Sequence, residues 1–204
     1  MTKIISVAGF KGGCGKSTTA VHLAVFLAEH GSTLLVDGDR NRTAIDWAAR
    51  GGDRFPVEVV DERGAIRAAS GRDFVVIDTA AAPDSNDLAE LANGCDLLVL
   101  PSTPDVVSIQ PTIRTAQSVD VSNYRVLLTI VPPRPSKEGE QMRAGLIEAE
   151  VPVFKTMIRR TAGFQRAALE GVPIRDVSES RLRNGWYDYK ALGAEILTIL
   201  EGSK

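Results

Sequence analysis

The stretch Phe10-Lys11-Gly12-Gly13-Cys14-Gly15-Lys16-Ser17-Thr18 decides the reading of this 204-residue chain. It follows an apolar run, Ile4-Ile5-Ser6-Val7-Ala8-Gly9, and precedes a helix-patterned one, Ala20-Val21-His22-Leu23-Ala24-Val25-Phe26-Leu27-Ala28. Strand, glycine-rich turn and helix in that order form the context in which a phosphate-loop match carries weight. Glycines let the backbone curl so that successive N–H groups point inward, and the helix N-terminus adds its positive end to the cradle. Such a loop offers the backbone of Gly12, Gly13, Cys14, Gly15 and Thr18 to phosphates. Lys16 is placed to reach the terminal phosphates, and the Ser17 hydroxyl is a ligand for Mg²⁺.

Working outward, short apolar runs alternate with helix-patterned stretches, which implies βα units and a mainly parallel, doubly wound α/β sheet. Ser32–Asp37, Val57–Val60, Phe74–Asp78, Leu97–Leu100, Arg125–Val131 and Pro152–Met157 read as further strands. Asn41–Arg50, Glu62–Ala69, Ser108–Val119, Gly139–Glu150 and Ala191–Leu200 read as helices. No repeat, low-complexity tract or linker interrupts the pattern, so residues 1–204 are expected to form a single phosphate-loop domain. Hydrophobic residues at 44% and charged residues at 25% place the chain among soluble globular proteins. No run approaches the roughly twenty apolar residues that cross a bilayer. Met1-Thr2-Lys3 enters the first strand without a signal-peptide pattern, and two cysteines make no disulfide framework. The expectation is a cytoplasmic protein.

Open parallel sheets bind ligands beyond the carboxyl ends of their strands, which singles out acids at those ends. Asp37 closes one run, in Val36-Asp37-Gly38-Asp39, and Asp78 closes Phe74-Val75-Val76-Ile77-Asp78. The second has the form of a Walker B element, whose acid holds the hydration shell of Mg²⁺. Asp37 and Asp39 are also placed to cap the helix that follows them.

Lys11 makes the loop specific. Phe10 stands where the usual loop has its first glycine, and Lys-Gly-Gly-X-Gly-Lys-Ser/Thr resembles the deviant Walker A loop of the ParA/MinD family of ATPases. The resemblance implies ATP and Mg²⁺ as cofactors and a nucleotide-sandwich homodimer in which Lys11 touches phosphates bound by the partner subunit. It implies catalytic roles for Lys11, Lys16 and Asp37, with Asp37 handling the attacking water and Asp39 in support. Metal contacts fall to Ser17, Asp37 and Asp78. The base would be held by loops after the late strands, here Val131-Pro132-Pro133-Arg134 and Gly171-Val172-Pro173-Ile174, with Arg134 a stacking candidate.

Segment 155–190 carries eight Lys and Arg against four Asp and Glu, a net +4 that leaves −6 on the remainder. Such asymmetry lets an acidic protein present a cationic face to phosphates. Relatives in the family bind nonspecific DNA through this part, which points to Arg159, Arg160, Arg181 and Arg183 and to a nucleoid-associated protein. The chain is most similar to the small partition and positioning members. Its expected function is an ATP-dependent dimerising switch that places a plasmid, a chromosome or a protein body such as a carboxysome. A ParB-like or McdB-like adaptor would stimulate hydrolysis. Two alternatives share the scaffold: a MinD-like membrane regulator and a metabolic ATP-dependent synthetase or reductase. The tail Glu195–Lys204, with two acids and one lysine, is not the basic amphipathic helix a membrane regulator needs. With His22 and His30 the only histidines, no His triad or His metal cluster can be assembled, and His22 reads as a packed side chain on an apolar helix.

Overall fold

The computed structural model describes residues 1–81, 85–105, 107, 109, 110, 113 and 123–202. Its centre is a six-stranded, all-parallel sheet in the order β3-β2-β4-β1-β5-β6. The strands are β1 (Lys3–Gly9), β2 (Thr33–Asp37), β3 (Glu58–Asp61), β4 (Phe74–Ala81), β5 (Leu97–Ser102) and β6 (Tyr124–Leu128). β2 and β5 are buried along their whole length, as continuous apolar runs covered on both faces must be.

Helices α1 (Lys16–Leu27), α2 (Thr43–Gly51), α6 (Ala162–Glu170) and α7 (Gly185–Gly202) share the larger core on one face. On the other face, α4 (Ser85–Asn93) and α5 (Glu138–Glu148) pack in a second core, while α3 (Glu62–Ala68) covers a third small cluster beside Leu34, Val36 and Val75. Every residue of α1 from Thr19 to Leu27 is buried, because the helix lies between the sheet and α7. Its first turn points the other way, at the carboxyl edge of the sheet.

The doubly wound parallel sheet is the one the sequence pattern implies. Three details differ. Pro152–Met157 is not a strand: it runs along the outer edge of β6 and touches it through a single bridge, Val126 with Val153, and a second bridge joins Val131 and Arg159 beyond both. Pro152 has no N–H to give, and the Glu195 carboxylate takes the amides of Lys155 (2.8 Å) and Thr156 (3.1 Å), which pulls the segment out of the ladder. β6 ends at Leu128, well short of Val131, because Ile130 is left-handed at φ 54°. The last helix begins at Gly185, six residues before Ala191, and α4 and α6 were not marked by the periodicity at all. The expected helix Ser108–Val119 lies outside the described residues except at 109, 110 and 113. Among the described residues no helix is long and apolar enough to cross a membrane.

His22 is a packed side chain with both ring nitrogens engaged. The Ile174 N–H donates to Nε2 (3.0 Å), so Nδ1 carries the proton and donates to the Thr18 carbonyl (2.7 Å). The ring stacks on Tyr189 at 4.8 Å between centroids and meets Trp47 and Phe164 edge-on. Burial lowers its pKa to about 4, the Thr18 carbonyl opposing and Arg175 adding slightly. The unfolded chain therefore takes up a proton that the fold refuses. The contribution of neutral His22 is intact above about pH 6.5 and is lost as pH falls toward 4, by up to about 3 kcal/mol. Urea unfolding of the parent and a His22→Gln variant is expected to show the parent losing about 2 kcal/mol more than the variant between pH 7 and pH 5. Parallel losses in the two proteins would contradict this.

Candidate nucleotide site

The turn between β1 and α1 is built on backbone that only glycine adopts without strain. Gly13 and Gly15 have φ of 79° and 86°, and Gly15 is the N-cap of α1. No side chain caps that helix, so its first N–H groups face the turn as a preformed anion seat. Gly9 gives the close approach beneath it: a Cβ there would sit 2.7 Å from Cys14 Sγ and 2.9 Å from Lys16 Cδ. Cys14 is buried and its carbonyl accepts from the Thr129 hydroxyl (2.7 Å), which also reaches Ser102 O. The ends of β5 and β6 thereby hold the loop from behind. Cys14 needs no reactivity for this, and burial raises its thiol pKa.

A cavity of about 520 Å³ opens at the loop. Gly12, Gly13, Gly15, Lys16, Ser17 and Thr18 form one wall, and Asp39, Asn41 and Thr43 a second. Thr129, Ile130, Ile158, Arg159, Arg160 and Thr161 line the far end, with Phe164, Gln165, Ala168 and Tyr189 beside them. Lys16 is buried, and its Nζ stands 3.9 Å from Asp39 Oδ2. Lys11 is exposed on the loop and does not line the cavity.

The three acids have separate fates. Asp37, fully buried, spends both carboxylate oxygens on backbone: Oδ1 accepts from Asp39 N (3.1 Å), and Oδ2 from Ala44 N and Ile45 N (both 3.0 Å). Those are the second and third residues of α2, so Asp37 caps that helix from outside it. Asp39 instead stays on the cavity wall, fixed by Asn41 N donating to its Oδ1 (3.0 Å). Asp78, also fully buried, has no hydrogen-bond partner on either oxygen among the described residues. Burial pushes its pKa up to about 7; the nearby Ser17 hydroxyl opposes this without completing a hydrogen bond, and the charge of Asp37 adds to it.

An orphaned carboxylate beside a hydroxyl fits a hard cation that prefers oxygen, so Ser17 and Asp78 suit Mg²⁺. Among the described residues no group of three or more His, Cys, Asp or Glu side chains is spaced to hold a metal alone.

Pro132, Arg134 and Pro173 were the residues expected at the base end. All three lie off the cavity, and Arg134 is 92% exposed with a long 3.7 Å pairing to Glu140. The cavity is lined instead by the segment 158–161, in which Ile158 N donates to Leu128 O at the end of β6 and Ile158 O accepts from Val131 N. The four arginines expected on a DNA face divide. Arg159 and Arg160 line the cavity, and Arg159 is held bidentate by Asp188 (2.7 Å on both arms). Arg183 instead lines a surface groove with Arg175, Trp186, Tyr187 and Lys190, and Arg181 is 83% exposed beside Glu179. Thr129, Phe164, Gln165 and Tyr189 were missed as cavity residues. Only Thr129 had a signal, since it is a polar residue directly after a buried strand, the rule that had picked out the acids.

Residues 5–174 match the family described as the CobQ/CobB/MinD/ParA nucleotide binding domain. The maintenance of carboxysome distribution protein A of Gloeobacter kilaueensis is 35% identical over 202 residues, covering 95% of this chain and 94% of that protein. An aspartate-to-alanine variant of Cyanothece McdA, solved with ATP, superposes with a TM-score of 0.65 at 16% identity, over 94% of this chain and 96% of that one. The septum site-determining protein MinD of Pyrococcus horikoshii, solved with Mg-ADP, gives a TM-score of 0.68 at 20% identity, covering 96% of each chain. The structural likenesses speak for the fold and the sequence matches for descent. Together with the glycine cradle and the acids at the ends of β2 and β4, they show that the chain belongs to the CobQ/CobB/MinD/ParA nucleotide-binding domain family.

Proposed function

We propose that this chain is an ATP-dependent dimerising switch that positions or partitions a cargo, binds nonspecific DNA as the ATP dimer and is reset by partner-stimulated hydrolysis. The carrying observation is the join of an exposed Lys11 to a loop whose cavity is lined by Lys16, Ser17 and Asp39, with Asp78, partnerless among the described residues, buried beside Ser17. The relative at 35% identity, named for carboxysome distribution, favours a protein body as cargo.

The loop N–H groups and the α1 terminus bind the phosphates, and Lys16 exchanges its contact with Asp39 for the terminal phosphate. Mg²⁺, held by Ser17 and Asp78, would neutralise charge on the phosphate oxygens. The water-handling role, expected of Asp37, goes to Asp39 in this reading. Asp37 does not line the cavity and already accepts three backbone N–H groups, whereas Asp39 lines it with one oxygen toward Lys16. Lys11, which does not line its own cavity, is given to the partner subunit's phosphates, where a cation offsets developing charge in the manner of an arginine finger. The segment 158–161 with Phe164 forms the base end. The DNA contact is assigned to the groove of Arg175, Arg183 and Lys190 with Arg181 beside it, since Arg159 and Arg160 belong to the cavity.

Lys11→Ala is expected to abolish the ATP-dependent dimer in light scattering while nucleotide affinity stays within roughly threefold; a surviving dimer removes the trans role. Asp39→Ala should cut hydrolysis roughly 100-fold and trap the ATP dimer. Asp37→Ala should act first on stability, lowering it by about 1–3 kcal/mol in urea unfolding, because it strips a helix cap and leaves buried N–H groups unmet. A fully stable Asp37→Ala protein without turnover would reverse the two assignments. In a gel shift on random-sequence duplex, retardation is expected with ATP and not without, and Arg183→Glu should weaken it. Equal retardation in both states, or none, would sink the DNA switch.

A further inference from the structure

We propose that Arg42 is the positioning residue for Asp39, a role that rests on the water-handling reading of Asp39 given above. Arg42 lies between that acid and α2, in a left-handed conformation at φ 51° and ψ 36°. A side chain in that region is strained, and such strain persists only where the surroundings hold it. Here they hold it at four points. The Arg42 N–H donates to Asp39 O (3.0 Å), closing a tight turn around the acid, and the Arg42 carbonyl accepts from Asp46 N (2.9 Å) in α2. The guanidinium folds back to donate to Asp37 O (2.5 Å), the last residue of β2. It also spans to α3, where Glu62 receives both arms, at 2.5 Å from Nη1 and 2.8 Å from Nη2.

Each contact has a geometric consequence for Asp39. The segment 37–42 leaves β2 and re-enters at α2, and Arg42 ties its end to its beginning. Without that tie, the Asp39 carboxylate is restrained among the described residues by Asn41 N, within the same loop, and by the 3.9 Å approach of Lys16. Lys16 turns to phosphate when nucleotide binds, so the second restraint is lost when Asp39 has to be in place. The planar guanidinium, with a carboxylate fork on one side and a carbonyl on the other, is the kind of contact that fixes direction as well as distance. Starting α2 does not require it, because the Asp37 carboxylate already serves the second and third N–H groups of that helix. Arg42 itself does not line the cavity, so its loss should act on the rate and not on nucleotide affinity.

The test is single-turnover Mg-ATP hydrolysis and fluorescent-ATP binding on the full chain. Arg42→Gly separates backbone from side chain, since glycine relaxes the left-handed turn but cannot make the tie. Arg42→Gly and Arg42→Ala are each expected to slow hydrolysis roughly tenfold or more, with the dissociation constant for ATP within roughly threefold of the parent. Arg42→Lys should recover part of the rate, and Glu62→Gln should show a smaller loss of the same kind. Parental hydrolysis in Arg42→Gly, or affinity falling in step with the rate, overturns the proposal. Should both Arg42 variants fail to fold, Glu62→Gln decides in the same way: slower turnover at unchanged affinity supports the tie, and parental turnover overturns it. Asp39→Ala separates this from the reading beneath it. If that variant turns over ATP normally the water-handling assignment fails, whereas an inactive Asp39→Ala with a fully active Arg42→Gly defeats only the role of Arg42.

Discussion

The register of β2 against β4 sets Asp37 beside Asp78, and both carboxylates are fully buried. Two like charges so placed in a low-dielectric interior cannot both be left without compensation. The fold answers unequally. It brings the amides of the Asp39 loop and the start of α2 onto Asp37, which binds the loop and helix to the sheet edge. Among the described residues nothing completes a hydrogen bond to Asp78, and burial moves that acid's pKa up to about 7. A native fold retains such a group where something outside the chain completes it. The glycine turn at the end of β1, the strand adjacent to Asp78, is where phosphate and its cation would do so.

The part of this site that was legible in the sequence is the part carried by backbone and strand ends. A loop that needs left-handed residues must show glycines, and a buried parallel strand must show an apolar run, so Gly13, Gly15, Asp37 and Asp78 could be read directly. Which acid of Val36-Asp37-Gly38-Asp39 turns inward could not. That depends on where α2 begins and which amides it presents, and both oxygens of Asp37 are claimed by residues two, seven and eight positions later. The periodicity placed the α2 region correctly, and of the two acids open to a capping role it is Asp37, in the preceding strand, that takes the helix N–H groups.

The far lining of the cavity has a longer-range cause. Arg134 sits in the loop that seemed right, yet the chain turns at left-handed Ile130 and carries Pro132 and Arg134 outward. Segment 158–161 lines the cavity because Ile158 exchanges backbone hydrogen bonds with Leu128 and Val131, and because Glu195, about forty residues on, draws the preceding amides off the ladder. No local pattern encodes a carboxylate from the last helix. The surplus of positive charge in 155–190 was real, but charge counting could not divide it. Asp188 turns Arg159 to the cavity, while Arg183, further along the chain, is left on a surface groove.

Asp188 has a neighbour that makes α7 more than a cover for α1. Tyr189, the next residue, lines the same cavity, stacks on His22 and shares a hydrogen bond with Thr19 in α1 at 3.1 Å. One residue of the helix thus fixes the 158–161 rim through Arg159, and the next fixes the phosphate-loop helix through Thr19. Successive residues of a helix cannot move independently, so the two ends of the cavity are held at a set separation by one turn of α7. On that same turn, Trp186 lies under the Arg175 guanidinium at 4.9 Å and Tyr187 is exposed. The groove to which DNA contact is assigned is therefore formed by the turn that spans the nucleotide cavity. A shift of the rim relative to the phosphate loop has to move that turn, and with it the spacing of Arg183 and Lys190.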